Sequence, residues 1–204
     1  MNSLNKLEKL FSEFPGIGPR QARRFVYFLL TKNGAFLTEL VGAISNLKKE
    51  ITVCTSCFRF FTKNKGAEKR CSHCLDSARA GETLMIVSRD IDFENIEKTG
   101  TYKGMYFVLG GLVPILEKDP EKKIRINELL KKIEEQKKII KEVILALNAN
   151  SEGENTTEYV ISKIKKISDE NSITISTLGR GLSTGLELEY SDSETLKNAL
   201  KNRS

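Results

Sequence analysis

Apolar residues recur at helical spacing along the N-terminal part of the chain. Leu4, Leu7, Leu10 and Phe11 lie three or four positions apart, as on one face of a helix. The segment from Pro15 to Pro19 interrupts this pattern, because proline and glycine end helices. The pattern then resumes, with Phe36, Leu40, Ala43, Ile44 and Leu47. Residues 1–51 are therefore predicted to form a helical domain.

From Thr83 onward, short apolar runs alternate with segments of helical pattern. The apolar runs favour buried strands at Thr83–Val87, Met105–Leu109, Val143–Leu147 and Ile173–Leu178. Helices are predicted between them, at about Asp92–Lys98, Ile126–Lys138 and Thr156–Ser168. This order indicates a mainly parallel, Rossmann-like sheet with helices on both faces. Ligands meet such sheets at the carboxyl ends of the strands.

These changes of pattern divide the chain into four predicted parts. After the helical residues 1–51 come a cysteine-containing block at 52–78 and an α/β domain at 79–172. Residues 173–204 hold the last strand, a glycine-rich arm and a short helix beginning near Ser193. The lysine-rich run Lys131–Lys141 is interleaved with isoleucines, which favours a solvated helix face. The predicted fold class is thus a multi-domain α/β protein.

Composition adds limits on the cellular location and on the partners. The chain has 204 residues, of which 39% are hydrophobic and 29% charged, as in globular proteins. No apolar run approaches the roughly 20 residues that span a bilayer, and the N-terminus lacks the apolar core of a signal peptide. We therefore expect a cytoplasmic protein without membrane association. A net charge of +6 is compatible with a polyanionic partner such as DNA, and equally with a solvated lysine-rich surface.

The four cysteines form two pairs with the spacing of a metal site. Cys54 and Cys57 make the first pair, Cys71 and Cys74 the second, and thirteen residues separate the pairs. In a reducing compartment this pattern favours one tetrahedral Zn²⁺ per chain over disulfides. His73, the only histidine, is an alternative to Cys71 or Cys74 as a ligand. We predict a structural zinc, because the block is too short and polar to bury a core of its own.

The segment Phe14–Ala22 fits the signature of a helix-hairpin-helix turn. Gly16 and Gly18, on either side of Ile17, allow a tight turn whose N–H groups point outward at a helix N-terminus. In the helix that follows, one face is apolar and the opposite face is basic, with Arg20, Arg23 and Arg24. The predicted function is contact with DNA phosphates without sequence preference. The alternative is a hairpin whose arginines are only solvated.

A polar loop follows the predicted strand Val143–Leu147, with the sequence Asn148-Ala149-Asn150-Ser151-Glu152-Gly153-Glu154. It resembles the Asp-x-Asp-x-Glu-Gly-Glu loop of Toprim enzymes, whose aspartates bind Mg²⁺. Here both aspartates are replaced by asparagines, and an amide supplies a dipole where Mg²⁺ needs a negative charge. Ser88 follows the first strand, where these enzymes carry a glutamate. The loop therefore predicts a retained scaffold without a catalytic metal.

Several motifs together resemble the RecR family of bacterial recombination mediators along nearly the whole chain. They are Phe14-Pro-Gly-Ile-Gly-Pro19, the cysteine quartet, Ile96–Gly104, Val108-Leu-Gly-Gly111, Ala146-Leu-Asn148 with Glu152-Gly-Glu154, and Leu188-Glu-Tyr190. The resemblance implies a non-enzymatic DNA-repair factor that acts with RecO, and often RecF, to load RecA onto single-stranded DNA covered by SSB. It also implies a ring-shaped tetramer around DNA, built through the N-terminal and C-terminal segments.

The resemblance also implies roles for individual residues. Arg20 and Arg24 match the basic positions of the family's hairpin, and Glu152 and Glu154 match an acidic pair associated with partner docking. The chain departs from the family pattern in three places. These are Ser88 in place of the usual glutamate, the segment Leu112–Lys118 in place of a Gly/Pro-rich loop, and Ser183 in place of a proline.

Two other functions are compatible with the residues. One is a Mg²⁺-dependent Toprim nuclease or primase-like enzyme, in which Asp90 or Asp92 replaces the missing carboxylate through a shift of register. The other is a zinc-stabilised adaptor that binds proteins and contacts DNA only incidentally. Mg²⁺-dependent turnover distinguishes the enzyme, and salt-dependent DNA binding distinguishes the mediator from the adaptor.

Overall fold

The structure is a computed structural model that describes residues 2–63, 69–179, 181–182, 185, 187–191 and 193–201. Ser183, at which the chain departs from the family pattern, lies outside the described residues. The chain divides into two compact units, Met1–Thr52 and Val53–Ser204. In the described part of the chain, no helix is both long and apolar enough to cross a membrane.

Three helices make up the first unit, and the predicted helical pattern is confirmed. They are α1 (Ser3–Ser12), α2 (Pro19–Leu30) and α3 (Gly34–Glu50). Asn2 and Asn33 start α1 and α3 as side-chain caps, accepting hydrogen bonds from backbone N–H groups at 2.9 Å. Ala22 and Val26 on α2 are buried, and the Phe11 ring contacts the Phe25 ring edge to face.

The second unit contains the cysteine block, the α/β domain and the C-terminal segment. Its strands are β1 (Ile51–Val53, beginning at the boundary), β2 (Phe60–Thr62), β3 (Ala80–Val87), β4 (Gly104–Val108), β5 (Glu142–Ala146) and β6 (Thr174–Thr177). Its α-helices are α4 (Ser72–Leu75), α5 (Asp90–Thr99), α6 (Ile126–Gln136), α7 (Ser151–Asn171) and α8 (Ser193–Lys201). Two short 3-10 helices lie at Pro120–Lys122 and Leu188–Tyr190.

The predicted parallel sheet is confirmed. Four strands pair in the order β4-β3-β5-β6, and every neighbouring pair is parallel. β3 is central, so its last four residues are buried from both sides. Leu84 and Ile86 face a large core that α6 and α7 cover, whereas Met85 and Val87 face a smaller core with Phe93 of α5. Helices therefore cover both faces of the sheet.

One predicted boundary was wrong by a whole turn. The apolar pattern places the start of the helix after β5 at about Thr156, but α7 begins at Ser151. The first turn contains Glu152 and Glu154 and has no apolar stripe, so the pattern does not reveal it. Asn150 caps this turn by accepting a hydrogen bond from the N–H of Gly153 at 2.9 Å. The acidic residues therefore lie on the helix itself, at its positive end.

Candidate metal centre and nucleic-acid interface

The four cysteines converge on one buried point of the second unit. The Sγ atoms of Cys54, Cys57, Cys71 and Cys74 all lie within 4.8 Å of one another. The Sγ atoms of Cys57 and Cys71 are 3.6 Å apart. Tetrahedral zinc with Zn–S bonds of about 2.3 Å places its sulfur ligands about 3.8 Å apart. The cluster therefore has the size and the ligand set of a Cys₄ zinc centre.

Backbone turns hold the cysteines in this arrangement. The carbonyl oxygen of Cys54 accepts a hydrogen bond from the N–H of Phe58, whose φ of 62° closes the first turn. The carbonyl of Cys71 accepts from the N–H of Cys74 at 3.0 Å, which closes the second turn. The Sγ of Cys54 also accepts from the N–H of Cys71 at 3.3 Å. Such N–H···S contacts favour a thiolate, as a zinc ligand requires.

His73 lies outside the sulfur cluster. Its Nδ1 lies 2.9 Å from the guanidinium of Arg59, and its Nε2 lies 3.4 Å from Oε1 of Glu97. Burial, reinforced by the charges of Arg59 and Arg79, lowers the pKa of His73. The imidazole therefore has polar partners of its own, and the four cysteines form the candidate ligand set among the described residues.

One lysine of the lysine-rich run does not have the predicted exposure. Lys132 on α6 is only 7% exposed, and its Nζ donates to the carbonyl oxygen and the Oγ of Ser56, each at 3.0 Å. The prediction of a solvated face was wrong at this residue. Lys131, one position earlier, is exposed as predicted. The periodicity contains a signal for this, because Lys132 follows Leu129 by three positions and precedes Ile133.

The hairpin turn in the first unit has the geometry that its glycines predict. Gly16 has a φ of +77°, a conformation that glycine adopts without strain. Gly18 is extended at the N-cap of α2, and Pro19 occupies the first turn of the helix. The N–H of Ile17 donates to the carbonyl of Phe14 at 3.0 Å, which closes the turn. The N-terminus of α2 is thus exposed beside the basic face.

The three arginines of α2 differ in their surroundings. Arg23 donates to both carboxylate oxygens of Glu8 on α1, at 3.0–3.3 Å, and this partner raises the pKa of Arg23. Arg20 and Arg24 are exposed, and no salt bridge is found for either within the described parts of the chain. Contact of these arginines with DNA stays a prediction. Arg23 also links α2 to α1 through its ion pair with Glu8, a contact that the sequence did not indicate.

At the carboxyl edge of the sheet, the residues that replace the catalytic set bind one another. The hydroxyl of Ser88 donates to the carboxylate of Asp92, and the Oγ of Ser88 lies 3.3 Å from Oδ1 of Asn148. Asp92 also accepts from the N–H of Arg89 at 3.0 Å and so caps α5. Asp90 accepts from the N–H of Phe60 at 2.7 Å. Both candidate replacement carboxylates therefore have structural hydrogen bonds.

The backbone of the loop before α7 passes close to Gly153 in the first turn of the helix. A side chain at Gly153 would overlap the carbonyl oxygen of Asn148, so only glycine fits there. Glu152 and Glu154 flank this glycine, and both are exposed. On α7, Thr156 accepts a hydrogen bond from the N–H of Val113 at 2.8 Å. This hydrogen bond fixes the segment Leu112–Lys118, which follows β4 and departs from the family pattern, against α7.

Residues 82–178 match the family model of the Toprim domain, and residues 181–204 match the model of the RecR C-terminal region. A recombination protein RecR of Gloeobacter violaceus is 36% identical over 98% of this chain and 96% of its own length. The chain belongs to the RecR family. RecR proteins of Bdellovibrio bacteriovorus and Staphylococcus saprophyticus are 31% and 32% identical, over 100% and 98% of this chain and 97% and 96% of their own lengths.

The match to RecR relatives extends over all the regions described above. Relatives match the chain from the hairpin to the C-terminal segment, so the hairpin, the cysteine cluster and the altered Toprim edge lie in one family of recombination proteins. The Toprim match contains Ser88, Asn148 and Asn150. The matched domain thus carries amides and a hydroxyl where Toprim enzymes carry carboxylates.

Proposed function

We propose that this RecR-family chain is a non-enzymatic DNA-binding mediator of recombinational repair. With RecO, and often with RecF, it promotes the loading of RecA onto single-stranded DNA covered by SSB. The name of its relatives, recombination protein RecR, supports a role in recombination. Each further part of the proposal rests on particular residues.

The absence of catalysis is supported by the carboxyl edge of the sheet, and this observation carries the proposal. A Toprim enzyme needs carboxylates there to bind Mg²⁺, and this chain has Ser88, Asn148 and Asn150. The hydroxyl of Ser88 donates to Asp92, and the side chain of Asn150 caps α7. Asp92 is itself the cap of α5. Ser88, Asp92 and Asn150 therefore make hydrogen bonds that stabilise the fold.

Binding to DNA is supported by the exposed hairpin of the first unit. Gly16, Ile17 and Gly18 form the turn at the N-terminus of α2, where backbone N–H groups favour a phosphate. Arg20 and Arg24 lie one turn apart on the exposed face of the same helix. Groups of this kind bind the phosphates, which are the same for every sequence, so we expect binding without sequence preference. Arg23 adds a third positive charge, oriented by Glu8.

Assembly into a homo-oligomer is supported by α3. Val41, Ile44 and Leu47 are 63%, 64% and 62% exposed, and none of the residues of α3 is buried. Contiguous apolar surface of this kind marks an interface. The occupant we propose is a second copy of the same chain, within a ring-shaped tetramer that encircles DNA as a clamp.

The remaining two sites have supporting roles in this proposal. Cys54, Cys57, Cys71 and Cys74 would hold one structural Zn²⁺, which would supply the second unit with a tetrahedral cross-link. Glu152 and Glu154, exposed at the start of α7, would contact a partner protein such as RecO. Their negative charge favours a basic surface on that partner.

The DNA contact is tested by the dependence of affinity on salt. Each phosphate contact contributes about one unit to the slope of log affinity against log salt concentration. The double variant Arg20→Ala with Arg24→Ala should therefore bind single-stranded DNA more weakly, with a slope smaller by about two for each subunit that contacts the DNA. Fluorescence anisotropy over a series of NaCl concentrations measures both quantities.

A matched control removes the same charge elsewhere in the first unit. Lys48 and Lys49, in the last turn of α3, are also exposed and positive, and they lie far along the chain from the hairpin. Their double replacement by alanine should leave the slope close to that of the wild type. Equal slopes for all three proteins would contradict the hairpin as the DNA-binding site. A Mg²⁺-dependent nicking or priming activity of the wild type, lost in Glu152→Ala, would contradict the absence of catalysis.

A further inference from the structure

We infer that Lys132 is the internal counter-cation of the Cys₄ zinc centre and that its positive charge slows the release of the metal. This inference rests on the proposed zinc centre and is independent of the proposed binding of DNA. Lys132 lies on α6, outside the cysteine block.

The position of Lys132 beside the first cysteine pair is the first observation. Its neighbours on the same face of α6, Leu129 and Ile133, are fully buried. The ammonium group donates two hydrogen bonds of 3.0 Å to Ser56, which lies between Cys54 and Cys57. The N–H of Ser56 in turn lies 3.5 Å from the Sγ of Cys54. One residue thus separates the buried cation from the sulfur ligands.

The second observation is that, among the residues that the structure describes, no carboxylate pairs with Lys132. A cavity of about 340 Å³ lies beside Lys132, and Glu128 and Glu135 are among the residues that line it. Neither glutamate forms a salt bridge with Lys132 within the described ranges. Glu135 pairs instead with Lys131, at 3.9 Å. Ser56 is neutral, so its oxygens do not balance the charge. A buried cation is costly unless an anion compensates it.

A zinc ion bound by four thiolates forms an anionic centre that can compensate the positive charge of Lys132. The metal contributes two positive charges and the thiolates four negative charges, so the buried centre carries a net charge of −2. Burial lowers the pKa of Lys132, whereas the negative charges of Cys74, Cys57 and Cys54 raise it. Arg70, which donates to the carbonyl of Cys74 at 2.6 Å, is exposed and therefore screened by water. Arg79, which lines a small cavity with Cys57 and Cys74, is also nearly buried, but its charge is paired with Glu97. Among the described residues, Lys132 is therefore the buried cation at the centre that lacks a carboxylate.

The rate of zinc release tests this inference on the zinc-loaded full chain. Lys132→Met removes the charge and keeps the length and the apolar stem of the side chain. Transfer of zinc to a chromogenic chelator should be about tenfold faster in this variant, the lower end of the effect of groups that support metal ligands. Lys132→Arg, which keeps the charge, should release zinc more slowly than Lys132→Met. Lys131→Met, an exposed neighbour on α6, should release zinc at the wild-type rate.

A spectroscopic measurement distinguishes the effect of the positive charge of Lys132 from a purely structural effect of its hydrogen bonds to Ser56. In protein loaded with Co²⁺, a nearby positive charge lowers the energy of the sulfur lone pairs. Its removal in Lys132→Met should therefore move the sulfur-to-cobalt charge-transfer bands to longer wavelength, while the d–d bands keep their tetrahedral pattern. Faster zinc release without this shift would show a tether and overturn the inference, as would a wild-type release rate in Lys132→Met. If the wild-type protein contains no zinc after purification without chelators, both the proposed zinc centre and this inference are overturned.

Discussion

The Oγ of Ser88 lies 3.3 Å from Oδ1 of Asn148, and this contact joins the carboxyl ends of β3 and β5. Both residues stand where Toprim enzymes carry carboxylates. Two carboxylates at this distance repel each other unless a cation lies between them, whereas a hydroxyl and an amide carry no net charge. Ser88 and Asn148 therefore approach each other closely without needing a metal ion between them.

Restoring one aspartate should make the stability of the chain depend on Mg²⁺. Asn148→Asp places a second carboxylate near Asp92, since both residues contact Ser88. We expect a loss of about 1–3 kcal/mol in the free energy of unfolding without added metal, through like-charge repulsion. Millimolar MgCl₂ should restore most of this loss and leave the wild type nearly unchanged. Thermal denaturation with and without MgCl₂ measures the difference, and an equal Mg²⁺ effect on both proteins would contradict the prediction.

Gly153, in the first turn of α7, should tolerate substitution poorly. A methyl group there would overlap the carbonyl oxygen of Asn148, and a backbone atom does not move aside without shifting the loop. We expect Gly153→Ala to lower the free energy of unfolding by about 3 kcal/mol, as measured by urea denaturation. Gly42, in the middle of α3, is the matched control because no atom lies near the position of its missing side chain. Gly42→Ala should be neutral or stabilise by up to about 1 kcal/mol.

The features that depend on short-range pattern were predicted from the sequence. Two cysteine pairs at metal-site spacing predict a cluster, because each pair closes its own turn and the metal needs both. The alternation of apolar runs and helices predicts the parallel sheet, because right-handed crossovers leave few other arrangements. The turn at Gly16 follows from the conformational freedom of glycine.

The features that depend on contacts between distant elements were not predicted. The burial of Lys132 depends on where the cysteine block packs against α6, and its pairing with Ser56 spans 76 positions. The salt bridge of Arg23 with Glu8 depends on the packing of α1 against α2. The first turn of α7 lacks an apolar stripe, so only the cap of Asn150 marks its start. For Lys132 and Arg23, the partner lies on another element of the fold, so the local pattern does not reveal it.

Acid should weaken one ion pair beside the cysteine block. Arg79 donates to the carboxylate of Glu97, and Arg79 is almost fully buried. Burial acts to raise the pKa of Glu97, but the hydrogen bond from Arg79 and its positive charge oppose this effect, and the pKa lies below its ordinary value of 4.5. A lowered pKa means that the pair stabilises the fold fully above pH 4.5 and loses this effect as the pH falls through the folded-state pKa.

The variant Glu97→Gln removes this dependence. At neutral pH it should unfold more easily than the wild type by about 2 kcal/mol, the typical contribution of hydrogen bonds to a charged group. The difference should shrink as the pH is lowered below 4.5. Urea denaturation at a series of pH values measures it, and acid protonation of the cysteines affects both proteins alike. Glu94→Gln, at an exposed position of α5, is the control and should show no such trend.

The apolar face of α3 gives a prediction about assembly. Val41, Ile44 and Leu47 follow one another at spacings of three, so they lie on one side of the helix. Ile44→Glu places a charge on this side, where a second copy of the chain would desolvate it. Because Ile44 is already 64% exposed, the helix itself should keep its circular dichroism spectrum.

Light scattering should therefore report a smaller particle for Ile44→Glu than for the wild type. The control is Asn46→Glu, which adds the same charge about half a turn away on the same helix. Asn46 is exposed and bonds only with Lys49 among the described residues, at 3.4 Å, so this variant should keep the wild-type mass. If Ile44→Glu keeps the mass of an oligomeric wild type, the interface lies elsewhere, since a buried glutamate without a partner would cost several kcal/mol per subunit. A wild type that is itself a monomer, with and without DNA, would contradict the proposed clamp directly.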